Sequence, residues 1–329
     1  MSLSGKYWPV HPKPLPDELF SSWLIRIIKG NSPEMKLHTF CHWNWPGKQI
    51  WTRDIDKCAD LSLLNSIANK TGTALPAAKN TLLSSYQSFV FERLIINGNS
   101  KWVRPIGVYH RTRRQFGLRW CPHCLSSDQK PYFRKKWRMS FASTCPSHGV
   151  ILKDHCNDCA APCIPHKSGF LNCHQCGADI SKQKTIIADS QVLQADYLLC
   201  KLAEDGVYDL ARTGFSHSIL YFDTWYRILS LVAFGTRSQA LRDLTASIYD
   251  GDPSPISEKY KLRSIDALST IDLHKTSTIA TRLMQGFPFR LIGLCAETRN
   301  WSTQVLKDMR PMRFTLYEAS KNYLAGPIT

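Results

Sequence analysis

The chain has 329 residues, of which 43% are hydrophobic and 21% charged. This is globular composition, long enough for about two domains at ~150 residues each, and it excludes a disulfide-stapled miniprotein. No apolar run approaches the ~20 residues of a membrane span, which excludes a membrane-embedded role. Lys and Arg number 42 against 26 Asp and Glu, a net charge of +16. That excess is uneven: residues 1–100 carry 11 basic and 7 acidic side chains, 101–187 carry 15 and 4, and 188–329 carry 16 and 15. A concentration of positive charge in about a quarter of the chain points to a surface facing a polyanion.

The opening Met1–Lys13 is polar and contains proline, with no basic end followed by an apolar block, so a cytoplasmic location is expected. Next come Pro12, Pro14 and Pro16, then Asp17 and Glu18, then Leu19, Phe20, Trp23, Leu24, Ile27 and Ile28 at helical spacing. Asp17 is the predicted N-cap of a helix of about 12 residues that stops at Gly30-Asn31-Ser32-Pro33. A second helical pair reads Leu61–Lys70, a Thr71-Gly72-Thr73 turn, and Pro76–Tyr86, with Pro76 in the first turn. The pair has helix-turn-helix character. Its second helix offers only Lys79, Asn80, Ser84 and Ser85 to DNA, so packing or protein contact is the leading reading. Past residue 187 the periodicity predicts helices over Val192–Ala203, Thr224–Phe234, Gln239–Tyr249 and about Ser277–Asn300, with a loop at Gly251–Pro255. Strands should be few and short.

The middle segment holds eight of the 12 cysteines. Cys121-Pro-His-Cys124 and Cys145-Pro-Ser-His148 form one pair of knuckles; Cys156-Asn-Asp-Cys159 and Cys173-His-Gln-Cys176, followed by Gly177, form another. A Cys-x-x-Cys turn puts two thiolates on one side of a tight bend, and a second knuckle completes a tetrahedron around zinc. The predicted ligands are Cys121, Cys124, Cys145 and His148 for one ion and Cys156, Cys159, Cys173 and Cys176 for another. Four protein donors leave no position for water or substrate, so both ions are expected to be structural. His-x-Glu with Pro-Cys-x-x-Cys, and His-Glu-x-x-His, are absent. Cys163, His123, His155, His166 and His174 lie nearby as bystanders, with His155 the best substitute ligand.

Residues 101–138 carry eleven basic side chains and one acidic, Asp128. Arg111, Arg113, Arg114 and Arg119 precede the first knuckle; Arg134, Lys135, Lys136 and Arg138 lie inside the first zinc loop, among Trp102, Tyr109, Trp120, Tyr132, Phe133 and Trp137. Guanidinium forks suit phosphate and aromatics can stack on bases, so these eight cations are predicted to contact nucleic acid or an acidic partner. No phosphate-binding Gly-x-x-x-x-Gly-Lys loop, Gly-x-Ser-x-Gly elbow or evident acidic triad is present, and Cys41, Cys58, Cys200 and Cys295 read as small buried hydrophobes. An enzyme is the minority reading.

The run Pro14-Leu-Pro-Asp17-Glu18-Leu-Phe-Ser-Ser22-Trp23-Leu24-Ile-Arg26, then Arg119-Trp-Cys121-Pro-His-Cys124, then Cys145-Pro-Ser-His148-Gly-Val-Ile-Leu152 through Cys159, resembles the TniQ family, which includes the larger TnsD-type target selectors of bacterial transposons. The resemblance covers about residues 10 to 180. It implies a non-catalytic adaptor that marks a target site, through target DNA directly or through guide RNA in a Cascade complex, and hands it to an AAA+ regulator that recruits the transposase. It also implies a head-to-tail homodimer built on the amino-terminal region, as in some members. The alternative is a TnsD-like protein that recognises an attachment site by sequence; a zinc hydrolase would need a three-ligand site.

The expected architecture is therefore mainly α with small zinc-ribbon β elements. It comprises an amino-terminal helix-turn-helix domain (1–100), a basic segment with two tandem zinc ribbons (101–187) and a carboxy-terminal helical domain (188–329).

Overall fold

The structure is a computed structural model that describes residues 7–106, 117–210, 215–234, 264–287, 289–290 and 293. The chain divides into two units, one of Met1–Gln87 with Phe91–Ile186 and one of Ser88–Val90 with Ile187–Thr329. The described residues are mainly helical, with one two-stranded sheet, and no described helix is long and apolar enough to cross a membrane.

In the first unit, α1 (Phe20–Asn31) buries Phe20, Trp23, Leu24, Ile25, Ile27 and Ile28, the stripe its sequence periodicity requires. It begins three residues after Asp17. Asp17 sits at φ +56 and is not the cap. Other segments answer the open N–H groups of the first turn instead: Leu19 N donates to Phe133 O and Phe20 N to Thr81 O, both at 2.9 Å, and Ser21 N to Asp56 Oδ1 at 2.7 Å. Glu18 is buried and satisfied by Arg26 Nε and Nη2 at 2.8 Å each, by Ser22 Oγ at 3.1 Å and by Leu15 N at 2.9 Å. Trp23 Nε1 donates to Pro12 O at 2.8 Å. The Pro-rich lead, acidic residue, Ser-Trp-Leu and arginine of the opening motif thus form one buried polar knot that fastens the extended lead to α1.

After α2 (Leu37–Asn44) and α3 (Ile55–Cys58), α4 (Leu61–Thr71) is capped by Asp60, whose Oδ1 accepts from Leu63 N at 2.8 Å, and ends at Gly72 with φ +59. The expected second helix, Pro76–Tyr86, is broken in two. α5 (Leu75–Lys79) has five residues, and a separate 3-10 turn spans Leu83–Tyr86. Thr81 causes the break: its Oγ1 donates back to Ala78 O at 2.6 Å, while its carbonyl accepts from Phe20 N across the fold.

The remainder of this unit is loop-rich. α6 (Pro122–Ser127) is followed by the 3-10 turn Lys135–Arg138, the antiparallel strands β1 (Thr144–Cys145) and β2 (Val150–Ile151) in register Thr144 to Ile151 and Cys145 to Val150, and α7 (Pro165–Ser168).

In the second unit, α8 (Ser190–Asp205) is capped by Asp189 and ends at Gly206, where φ is +74; α9 (Ser218–Phe234) and α10 (Thr270–Met284) pack on one another and on α8. α10 starts at Thr270 rather than near Ser277 because Ser269 caps it, its Oγ accepting from Asp272 N at 3.1 Å. The predicted Gln239–Tyr249 helix and Gly251–Pro255 loop lie outside the described residues.

Candidate metal centre

Each knuckle is built by local backbone geometry. Ala160 N donates to Cys156 O and Gly177 N to Cys173 O, both at 3.0 Å, and Gly149 N to Cys145 O at 2.9 Å. These three closing residues have φ of +56, +77 and +64, the left-handed turn that doubles the chain back and leaves both ligands on one side. Cys156 N then pairs with Ala161 O at 2.9 Å and Cys173 N with Ala178 O at 2.8 Å, so the two halves of the second ribbon repeat one motif.

Cys121, at the foot of α6, Cys124 within it, Cys145 on β1 and His148 in the hairpin turn form the first cluster. Cys124 Sγ lies 3.5 Å from Cys145 Sγ, and His148 Nδ1 lies 3.6, 3.3 and 3.6 Å from the sulfurs of Cys121, Cys124 and Cys145. In the second cluster Cys156 and Cys176 are 3.7 Å apart and Cys159 and Cys173 3.5 Å. Four ligands on a tetrahedron around zinc, with Zn–S of ~2.3 Å and Zn–N of ~2.0 Å, stand about 3.5–3.8 Å from one another. Both donor sets therefore fit a zinc ion each, through three cysteines and one histidine in the first and four cysteines in the second. A bound ion would tie the knuckles of each set together, and four protein donors close its coordination sphere.

Hydrogen bonds from Cys121 and Cys124 draw Cys145 down to about 2, and the same contacts with Cys121 and Cys145 push Cys124 up. In the second set, burial acts to raise Cys156, but hydrogen bonds from Asp158 N, Cys159 N and the Gln183 side chain outweigh it and bring the thiol to about 7.

The bystanders have other partners. His155 Nδ1 lies 2.9 Å from Asp154 Oδ1, and His166 stacks on Trp51 with ring centroids 4.8 Å apart. Leu118 N donates to the carbonyl of Cys163, whose thiol is pushed up by burial. Cys41, also buried, is pushed up to about 12, as far from a reactive thiolate as the sequence reading expected. Cys295 lies outside the described residues.

The eight cations predicted to meet nucleic acid have different placements. Arg111, Arg113 and Arg114 lie outside the described residues. Arg119 is fully buried: Nε donates to Trp137 O at 2.8 Å, Nη1 to Ala142 O at 2.5 Å and Nη2 to Met139 O, so one fork ties together three turns of the zinc loop. Arg134 pairs with Asp128 at 2.9 Å and stacks over Tyr132 and Trp137 at 4.3 and 4.9 Å. Buried Lys135 donates to Ser85 Oγ at 2.8 Å and Asn80 Oδ1 at 3.2 Å, 5.0 Å from the Tyr86 ring centroid. Lys136, half-buried, is 3.9 Å from Asp17. Arg138 is buried on Asp54 at 2.7 Å and Asp56 at 3.0 Å. Arg119, Lys135 and Arg138 are thus spent inside the fold, where a phosphate cannot reach them.

Sequence reasoning missed Asp54 and Asp56 as counterions and Gln183 as a sulfur ligand's neighbour. Asp54 and Asp56 flank the start of a short helix at ordinary acidic positions, and nothing in their spacing announces a partner more than 80 residues away.

No curated protein matches the chain. The model of the TniQ family matches residues 9–152, the span from the extended lead through the hairpin of the first metal set, and over that span the chain is similar to a TniQ domain.

Proposed function

We propose that the chain is a non-catalytic adaptor in DNA transposition, one that links a target-bound complex, such as an RNA-guided Cascade complex in the cytoplasm, to an AAA+ transposition regulator. The observation that carries this reading is the match of residues 9–152 to the TniQ family model. Two closed donor sets accord with a scaffold that presents surfaces and performs no metal chemistry. The second reading, a TnsD-like protein that recognises an attachment site directly, needs a recognition helix with base-reading side chains. α5 has five residues and one cation, Lys79, which favours protein contact, including a homodimer, for the helix-turn-helix region. Within this proposal, nucleic-acid contact falls to Arg111, Arg113 and Arg114, together with half-buried Lys136, because Arg119, Lys135 and Arg138 are buried and Arg134 is paired with Asp128.

The test is binding of zinc-quantified protein to random duplex DNA, a candidate attachment-site duplex and a guide-RNA effector complex, at two salt concentrations. Tight binding confined to the effector complex is expected; strong preference for one duplex would replace the adaptor with the direct reader. Charge reversal at Arg113 and Arg114 should leave folding intact and weaken binding with a marked salt dependence. Salt-insensitive binding would remove these residues from the interface.

A further inference from the structure

Residues Ile180–Ile186 follow the last cysteine of the second set and belong to neither ribbon by spacing, yet they are bonded to both. On the second ribbon, Gln183 Nε2 donates to Cys156 Sγ at 3.0 Å, and Lys184 O accepts from Asn157 Nδ2 at 3.3 Å in the same knuckle. On the first, Ile180 O accepts from Trp120 Nε1 at 3.0 Å, one residue before Cys121. Thr185 Oγ1 and His123 Nε2, between Cys121 and Cys124, are 3.1 Å apart. Ile186 O accepts from Ile151 N of β2 at 2.8 Å.

Gln183 is the informative member. Its side chain is buried, and among the described residues its Oε1 has no partner, so its one contact is the N–H directed at sulfur. Burying half-satisfied amide costs stability, which an apolar residue in the same place would not. The compensation lies in charge: four thiolates around one dication carry a net charge of −2, and an N–H donor to sulfur disperses it and fixes the ligand's direction.

We infer that Ile180–Ile186 is a strap that makes the two zinc sites one coupled metal-binding unit, with Gln183 as the positioning residue that orients the Cys156 thiolate. The inference rests on the zinc reading of both donor sets. Emptying the second set frees Cys156 and removes the anchor of Gln183; the strap then loses its grip on His123 and β2, and the first set loses its support. Coupling of this kind is reciprocal, so emptying the first set weakens the second by the same factor.

The experiment uses the full chain with its zinc content measured first. During a chelator challenge, native mass spectrometry counts chains holding two, one and no ions, and cadmium-113 spectra of the cadmium-loaded chain distinguish the four-sulfur from the three-sulfur, one-nitrogen site. The wild type should pass from two ions to none with few one-ion chains. Gln183→Met, similar in volume and without a donor, should speed release about tenfold to a hundredfold, the range for outer-shell partners of metal ligands. Its four-sulfur resonance should shift first. Thr185→Val removes one hydroxyl at a half-buried position and leaves the second ribbon intact, so it should let one-ion chains accumulate with the remaining ion in the four-sulfur site. Release of the two ions from wild type at statistical, independent populations would overturn the strap, as would unchanged release in Gln183→Met. Fewer than two ions per purified chain would instead refute the zinc reading itself.

Discussion

Replacing Arg138 by Met should produce a large and pH-dependent loss of stability. Nη1 donates to Asp56 Oδ2 at 3.0 Å and Asp54 Oδ1 at 3.1 Å, and Nη2 to Asp54 Oδ2 at 2.7 Å and Arg104 O at 3.1 Å. Asp56 is 1% exposed, so losing the guanidinium leaves a carboxylate in the interior without a cation. Removing one partner of a buried pair costs about 3–5 kcal/mol. The Asp56 carboxyl stands at about 6 because burial raises it more than Arg138 lowers it, with Asp54 adding to the rise. Its folded value lies above its ordinary 3.8, so the native state holds the proton more tightly. The stability it contributes is present below 3.8 and is lost as pH rises through 6. That difference amounts to about 3 kcal/mol at ~1.4 kcal/mol per pH unit. Without Arg138 the carboxyl rises further and the loss continues above 6. The penalty, variant against wild type, should therefore be larger at pH 8 than at pH 5.5. Urea unfolding in saturating zinc, followed by tryptophan fluorescence, measures it, and comparison at each pH cancels the pH dependence of zinc binding. Adding Asp56→Asn should recover about 2 kcal/mol at pH 8, since the stranded charge is gone. A penalty under about 1 kcal/mol, or one equal at both pH values and untouched by Asp56→Asn, would refute the reasoning.

Lys135→Met should lower stability by about 1–2 kcal/mol by removing two charge-assisted hydrogen bonds, to Ser85 Oγ and Asn80 Oδ1, while the salt dependence of nucleic-acid binding stays at the wild-type slope. A slope reduced by about one would mean that the lysine meets phosphate after all. Gly117→Ala places a Cβ 2.4 Å from the Cys163 carbonyl oxygen, where the neighbouring Leu118 N–H is bonded. Backbone must shift, at about 1–3 kcal/mol, read as a lower thermal midpoint; an unchanged midpoint would show that the two segments are not held this closely.

The parts of the fold that were legible in the sequence are those fixed by near neighbours. The apolar stripe of α1, the helix read as Leu61–Lys70 and all eight metal ligands follow from residues at most a few positions apart, and the structure brings those ligands into two sets of four. The misreadings concern side chains with distant partners. Asp17 looked like a cap because nothing near it shows that Phe133, Thr81 and Asp56 already serve the first turn of α1. Thr81 ends α5 early because its carbonyl is claimed by Phe20, 61 positions back by number. Counting charge by segment separated Arg138 from Asp54 and Asp56, whose carboxylates make it an interior pair, and Lys136 from Asp17.

The way α1 is capped also sets the order in which the nascent chain can mature. The Leu19 N–H at its start and the carboxylates of Asp54 and Asp56 find their partners on Phe133 and Arg138, and Arg138 follows Asp56 by 82 residues. At ~5–20 residues per second of synthesis, about 4–16 s separate the two. Through that interval a helix bearing Phe20, Trp23, Leu24, Ile27 and Ile28 is outside the ribosome with no loop to cover its beginning. The amino-terminal region can close only after the first zinc loop has emerged, which makes this interval the window for chaperone capture or for aggregation of chains stalled within it.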